Sequence, residues 1–400
     1  MCCATPACLP QPRVSGTEPP PRDAVLEMLR SLAVPRLHGS AAAAGVQARI
    51  RAEFERIGLA VEDCPFTFSA LPGRFGAQIC GLILAVTLPA AAFFVQAGRH
   101  APALAFLLAP AILAATAVIL SDAAMLRLPL VRAEGTNMLA GSGAARFLIV
   151  AHRDSKSQPM PLMLRVGGAV GAVLAWLTLV AIVAANGQAP AVATAAGIIG
   201  GICGLVISRC CVGNDSDGAL DNASGVAGML RIARIEADRG SHDVAFLVTD
   251  AEEFGLVGAR VAAASFPDVE AVINLDGLDD DGPIVLIDGR SPLASPPSRL
   301  TWTLDQCATE RDAQVRHRGL PPGLLLDHVP FSRAGHHAVT IMRGRLRSLA
   351  RVHRPGDTAD RMDGRGAALV ADIVSDALGV IRTEPATDRA LRVAREPVPG

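Results

Sequence analysis

Four apolar runs limit what this chain can fold into. Residues 76–97 and 101–120 contain no Asp, Glu, Lys or Arg and are parted only by Gly98-Arg99-His100. Residues 166–185 and 189–208 repeat the arrangement around Asn186-Gly187-Gln188. Each run is long enough to cross the roughly 30 Å hydrocarbon core of a bilayer as a helix. Pro89, Pro102 and Pro110 fit such helices better than soluble ones. The alternative is a pair of buried soluble helices, against which the uncharged length of the runs argues. Composition points the same way: apolar residues make up 50% of the chain and mean hydropathy is +0.36, high for a soluble enzyme. Two hairpins make four crossings, and an even number returns the chain to its starting side. The expectation is therefore one domain built from 23–75, 121–165 and 209–382, interrupted by transmembrane hairpins at 76–120 and 166–208.

The remaining segments read as an α/β domain. Residues 1–22 are Pro-rich and read as disordered. A helix starts near Asp23, with Ala24, Leu26, Leu29 and Leu32 on one face, and a second covers 41–57 before Gly58. A short strand is expected at 59–63, and two more at 136–140 and 147–150 flank a Gly-Ser-Gly turn. Beyond 209, strands at 244–248, 271–275 and 284–287 alternate with helices at 225–237 and 364–381, an α/β pattern. Residues 383–400 read as a charged tail. A net charge of -1 gives no general attraction to nucleic acid. The nine cysteines are scattered without a Cys-x-x-Cys pair, which suits reduced thiols rather than a disulfide framework. The start of the chain lacks the apolar stretch of a signal peptide. Lys156 is the only lysine and tyrosine is absent, which we read as composition bias.

The polar residues that carry chemistry cluster at predicted strand ends. After the run 244–248 comes Thr249-Asp250-Ala251-Glu252-Glu253-Phe254-Gly255-Leu256. Two adjacent carboxylates there are costly unless a positive group lies beside them. A metal ion serves, with one Glu as ligand and its neighbour as base; the plainer alternative is an acidic helix N-terminus. His152, in His152-Arg153-Asp154, follows a strand, where α/β sites form, or belongs to a surface pair. Asp221 enters a helix as a ligand or, like Asn222, as a cap. Asp276 closes a strand before Gly277 as a ligand or as part of a turn. His353 precedes Asp357, which reads as a cap for the last helix. Together His152, Asp221, Glu253, Asp276 and His353 offer two imidazoles and three carboxylates. That set suits a pair of divalent ions with one bridging carboxylate.

At these residues the chain resembles the zinc aminopeptidases of the M28 type, which include bacterial secreted aminopeptidases. The matching pieces are Ala151-His152-Arg153-Asp154-Ser155, Leu220-Asp221-Asn222-Ala223-Ser224-Gly225, Asp250-Ala251-Glu252-Glu253-Phe254-Gly255-Leu256-Val257-Gly258, Asn274-Leu275-Asp276-Gly277 and His353-Arg354-Pro355-Gly356-Asp357-Thr358. Asp327-His328-Val329-Pro330-Phe331 also matches a segment of that family. The resemblance implies a mixed-sheet zinc-exopeptidase fold and two Zn2+ ions. It gives His152 and Asp276 to one ion, Glu253 and His353 to the other, and Asp221 to both. It makes Glu252 the general base, has Asp154 fix the tautomer of His152, and lines the substrate side with Asp327 and His328. The implied function is a membrane-anchored aminopeptidase that hydrolyses the first peptide bond of a peptide, with the bilayer as its other partner and no nucleic acid. Competing readings are a glutaminyl cyclase-like acyltransferase, which uses a similar fold with one zinc, and an inactive membrane receptor with a peptidase-like domain.

The chain departs from that pattern in three ways. A hairpin separates His152 from Asp221, where the family's usual gap is far shorter. Another precedes Asn137 and is foreign to secreted members. Several members carry a Tyr before the last ligand His, thought to help stabilise the oxyanion; here it is Val352, so a metal or another donor has to fill that role. Near the apolar runs, Arg74, Arg127, Arg132, Arg153, Lys156, Arg165 and Arg209 fall on the domain side and only Arg99 on the other. The positive-inside rule then expects a cytoplasmic domain.

Overall fold

The computed structural model describes residues 21–383 apart from 120–124, 143–144, 188, 267–268, 292, 294–296 and 322. The stretch expected to be disordered, 1–22, lies outside these residues except for its last two, which open a helix. The tail, 383–400, lies outside them except for Thr383.

The chain begins with α1 (Pro21–Leu32) and α2 (Ala41–Ile57). Ser40 caps α2 by accepting from the Ala43 N–H, and Gly58 ends it at φ 92°, a left-handed conformation that glycine adopts without steric cost. Strand β1 (Val61–Ser69) leads into the hairpin of α3 (Leu71–Gln96) and α4 (His100–Ile119). Strands β2 (Arg132–Ala140) and β3 (Phe147–His152) precede the second hairpin, α5 (Leu162–Ala184) and α6 (Pro190–Ser208). Then come α7 (Ser224–Asp238), β4 (Val244–Thr249), α8 (Val257–Ala262), β5 (Ala271–Leu278), β6 (Ile284–Ile287) and α9 (Arg299–Thr309). The chain continues through β7 (Val315–Arg318), α10 (His328–Ala334), β8 (His337–Arg343), α11 (Leu346–Leu349) and α12 (Arg365–Thr383).

Among the described residues, eight strands form one mixed sheet in the order β1-β2-β4-β3-β5-β8-β6-β7. Strands β4, β3, β5 and β8 are mutually parallel, and β2 and β6 run against them. Side chains alternate between faces, as strand geometry requires. Phe147, Ile149, Ala151, Phe246, Val248 and Ile273 pack on one side with α1, α2, α7, α9 and α12. Leu148, Val150, Ala245, Leu247 and Val272 pack on the other with α8 and Phe331 of α10. The parallel strands are therefore covered on both faces, and β3 and β4 read as nearly unbroken apolar runs.

Several elements extend beyond their sequence expectation. β1 runs on to Ser69 through Pro65, which an edge strand tolerates. α3 starts at Leu71, since its backbone helix extends past the apolar stretch that hydropathy detects. β7, with the sequence Val-Arg-His-Arg, was not expected; it is the opposite edge strand and buries little. β8 was not expected either, because its short apolar middle is bracketed by His337 and Arg343.

The topology sends both hairpins out of the sheet at one edge. β1 is antiparallel to β2 and β2 to β4, so β1 ends at the same edge as β4. β3 is parallel to β4 and ends there too. Hairpin one thus follows Ser69, and hairpin two follows His152, at the carboxyl edge of the parallel strands. Among the described residues, α3, α5 and α6 are long and apolar enough to cross a membrane, with hydropathies of 2.1, 2.3 and 2.0. In α4 the described apolar stretch is His100–Thr116. Leu88, Ala91, Leu107, Leu179 and Ala193 pack inside this helical unit, while Leu82, Val86, Phe93, Ile112, Val173 and Ile202 are exposed on its outside. Helices apolar all round suit a lipid surround or a large protein interior.

Small residues let α3 and α6 approach closely. A Cβ at Gly204 would lie 2.4 Å from the Ala85 nitrogen. Gly204→Val is therefore expected to cost about 1–3 kcal/mol through overpacking and to lower the thermal midpoint in detergent. An unchanged midpoint would contradict this contact.

Candidate metal centre

Six acidic and imidazole side chains converge at the carboxyl edge of β3, β4 and β5. His152 is the last residue of β3, and Asp276 lies near the end of β5. Glu252 and Glu253 occupy a single 3-10 turn after β4. Asp221 comes from the segment before α7, and His353 from the turn between α11 and α12. Asp221 lies between the two histidines: its Oδ1 is 3.1 Å from His152 Nε2 and its Oδ2 is 3.0 Å from His353 Nε2. Asp276 Oδ1 stands 3.8 Å from His152 Nε2, and Glu253 Oε1 stands 3.2 Å from His353 Nε2. The outcome is two triads, His152-Asp221-Asp276 and Asp221-Glu253-His353. In each, the potential donor atoms all lie within 4.8 Å of one another. His152, Glu252, Glu253 and Asp276 are buried, whereas Asp221 and His353 are partly exposed, so the cluster is open on their side.

The surrounding backbone is held by buried polar groups. Ala251, Gly255 and Leu256 take left-handed conformations that bend the chain sharply around Glu252 and Glu253. The Asp154 carboxylate accepts from the Glu252 and Glu253 N–H groups, at 3.2 Å each. Asp250 is fixed from four sides. It accepts from Thr136 N and Ala251 N, pairs with Arg153 at 2.6 Å and contacts His38 at 2.9 Å. Asp357 accepts from Leu220 N (2.8 Å) and Asp221 N (3.1 Å) and so positions the shared carboxylate. The Asp221-Asn222 peptide is cis. Asn222 Oδ1 accepts from Gly225 N and Gly277 N, which ties the Asp221 segment to the Asp276 strand. Gly225 is required there: a Cβ would stand 2.5 Å from the Leu275 oxygen.

The electrostatics call for added positive charge. Glu252, Glu253, Asp221 and Asp276 share one largely buried volume, which is expensive unless cations balance them. Glu253 Oε1 is buried and makes no hydrogen bond. Its Oε2 is taken by Lys156 at 2.8 Å. Burial opposes ionisation of Glu253, but His353 and Lys156 outweigh it and bring the group down to about 2. Burial pushes Glu252 well above the ordinary carboxylate range, with Glu253, Asp327 and Asp276 adding to the rise. An unsatisfied carboxylate oxygen facing an imidazole, within a set of hard donors, fits a divalent cation.

Comparison with known proteins follows this geometry. The model of peptidase family M28 matches residues 136–378. The chain belongs to peptidase family M28. A search of the curated proteins finds no match. An aminopeptidase from Aneurinibacillus sp. strain AM-1 aligns with a TM-score of 0.53 at 15% identity, over 89% of this chain and 93% of its own. The glutaminyl cyclase of Porphyromonas gingivalis gives 0.54 at 16%, over 90% and 98%. BSAP, a zinc aminopeptidase from Bacillus subtilis, gives 0.52 at 14%, over 92% and 97%. At such identities the likeness is one of fold.

Within this M28 chain, Asp154, Asp327, His328 and Asp357 are held by buried polar contacts. His152 Nδ1 is 3.1 Å from the main-chain oxygen of Asp154 and 3.7 Å from its carboxylate. The backbone carbonyl therefore orients the ring, and the carboxylate supports the Glu252-Glu253 turn. Asp327 is buried, and its Oδ2 accepts from the Thr249 hydroxyl at 2.5 Å. Burial, with the nearby Asp276 and Asp154, raises Asp327 to about 7. His328 is buried as well. Its ring nitrogens are engaged by the Thr340 hydroxyl (2.7 Å) and the Gly289 carbonyl (3.1 Å) in the interior. Asp357 supports the Asp221 segment rather than capping α12.

Sequence reading missed Lys156, Arg36 and the roles of Asp250 and Asn222. Arg36 is buried and donates to the carbonyls of Arg153, Asp217 and Gly218, joining the segment after β3 to the segment before Asp221. Arg36 lies far from any ligand motif and carried no signal. Lys156 did carry one: the chain's single lysine stands four residues after His152.

The His328 ring gives a pH test. Burial lowers it to about 4, against about 6.5 in an unfolded chain. Its stabilising contribution is complete above about pH 6.5 and is lost as pH falls toward 4, on the order of 3 kcal/mol in all. The thermal midpoint of the wild type should fall more steeply from about pH 7 to about pH 4.5 than that of His328→Gln. Parallel slopes would contradict the buried neutral ring.

Proposed function

We propose that the chain is a membrane-anchored di-zinc aminopeptidase. The observation that carries this reading is the Asp221 carboxylate, which turns one oxygen toward each histidine. A single-metal enzyme has no need of that arrangement. One zinc would be held by His152, Asp221 and Asp276, and the other by Asp221, Glu253 and His353. Bound there, they supply Lewis acidity to a water and to the scissile carbonyl. Glu252 takes the proton of the attacking water on its carboxylate and returns it to the leaving amine. Burial raises the affinity of Glu252 for a proton, which favours its acting as the acceptor. Asp154 holds Glu252 and Glu253 through their N–H groups, and Asp357 holds Asp221 in the same way.

Glu252→Gln keeps the shape of the side chain and removes the base. Hydrolysis of aminoacyl substrates should fall roughly 10²–10⁴-fold with the metal content unchanged; near-normal turnover would remove Glu252 from the mechanism. Asp221→Asn should instead lower the metal content. Chelation should abolish activity and zinc should restore it. A glutaminyl cyclase-like enzyme would hold one zinc per chain and release ammonia from an N-terminal glutamine peptide. Metal analysis with product identification separates the two: two zinc ions and cleavage of the first peptide bond support the peptidase, one zinc and a pyroglutamyl product the cyclase. An inactive receptor is disfavoured by the complete donor set.

For the membrane, we propose that segments 76–120 and 166–208 form four crossings that interrupt one peptidase domain made of 23–75, 121–165 and 209–382. The outward apolar side chains of α3 to α6 support this. The protein should stay with the membrane through alkaline carbonate extraction. By the balance of Arg and Lys, the domain faces the cytoplasm. A fluorescent protein fused after Gly400 should then glow, and an alkaline phosphatase there should be inactive. The reverse pair would place the domain on the other side.

A further inference from the structure

We infer that the metal centre works at the bilayer surface, on peptides whose free amino terminus is held there by an apolar segment that follows it. This rests on the membrane-anchored peptidase reading and names its substrate class. The first support is topological. Both hairpins leave the sheet at the carboxyl edge, where His152, Glu252, Glu253 and Asp276 stand. Hairpins leaving the opposite edge would hold the site a domain's height above the lipid.

The second support is the tightness of the joints. Only Ala70 separates the end of β1 from the start of α3. The first turn of α3 abuts the turn that carries both glutamates, since a Cβ at Gly73 would stand 2.4 Å from the Phe254 oxygen. The chain returning from α4 closes on the same turn: a Cβ at Gly255 would stand 2.4 Å from Met125 Cε. Phe68, at the end of β1, packs edge-on against Phe254 with ring centroids 6.1 Å apart.

The second hairpin is fixed to the other triad. Lys156 pairs with Glu253, and two residues later the Gln158 N–H donates to the His353 carbonyl at 2.9 Å. Arg354 donates to the carbonyls of Gln158 and Pro159. Arg165, in the first turn of α5, donates to the Gln158 side chain. Ser157 exchanges both main-chain hydrogen bonds with Gly213, just beyond α6, at 2.8 and 2.9 Å. The six residue steps from Lys156 to Leu162 reach at most about 20 Å. No slack remains for the domain to swing away, and the side of the cluster left open, by Asp221 and His353, is the side this foot adjoins.

The third support is the surface between domain and helices. Arg74, Arg127, Arg132 and Arg209 are exposed there, and Arg74 lies over the Phe75 ring at 5.7 Å. Exposed Met163 and Leu164 follow at the foot of α5. Arginines beside an apolar band suit anionic headgroups above acyl chains. A soluble peptide reaches such a site only from bulk water. A peptide inserted in the same bilayer offers its amino terminus in a thin layer at high effective concentration.

The test uses the full-length protein in vesicles of phosphatidylcholine and phosphatidylglycerol. Two peptides share one amino-terminal sequence. One is soluble; the other continues through a short polar spacer into about 20 apolar residues that insert. At equal total concentration, the inserted peptide should lose its first residue on the order of tenfold faster or more. The advantage should vanish when the spacer is lengthened several-fold, or when excess detergent dissolves the vesicles. Equal rates, or an advantage indifferent to the spacer, would overturn this inference and leave the peptidase reading standing. Cleavage of neither peptide would overturn both.

Discussion

The site depends on one carboxylate. Asp221 faces His152 with one oxygen and His353 with the other, and these two histidines come from segments far apart in the chain. Much of the buried polar structure nearby serves to hold it. Asp357 binds the N–H groups of Leu220 and Asp221, Arg36 binds the carbonyls of Asp217 and Gly218, and Asn222 links the segment to β5. Each of these groups is buried and would be costly without its partner. Together they define one position for Asp221.

This support explains how the fold accepts a hairpin between His152 and Asp221. The hydrogen bonds between Ser157 and Gly213 clamp the hairpin's two feet together before and after the excursion. His152 and Asp221 on either side are thus placed by local contacts and by the sheet, not by the length of chain between them. Hairpin one is accommodated in the same way, since β1 and β2 pair from Val61 with Ala140 to Ser69 with Arg132 across it.

The sequence was most informative where apolar pattern or ligand spacing carried the signal. The buried strands β3, β4 and β5 read as apolar runs ending in polar residues, and those ends are where His152, Glu252, Glu253 and Asp276 stand. The hairpins were legible from the absence of charge, although helix α3 starts five residues before its apolar run. Edge strand β7 was not legible, because its residues alternate at the surface without an apolar face. Tertiary hydrogen bonding was hidden as well. Asp357 reads as a helix cap, yet it binds the N–H groups of Leu220 and Asp221, because a motif does not say which backbone group lies opposite. Lys156 was set down to composition, yet it neutralises Glu253 in the middle of the cluster.

The central claim is that Asp221 is shared between two ions. Anomalous scattering at the zinc edge, from crystals of the full chain grown with zinc, addresses it directly. The account predicts two peaks on opposite sides of the Asp221 carboxylate, one beside His152 and Asp276 and the other beside Glu253 and His353. A single peak beside Glu253 and His353, with none near His152 at saturating zinc, would contradict it.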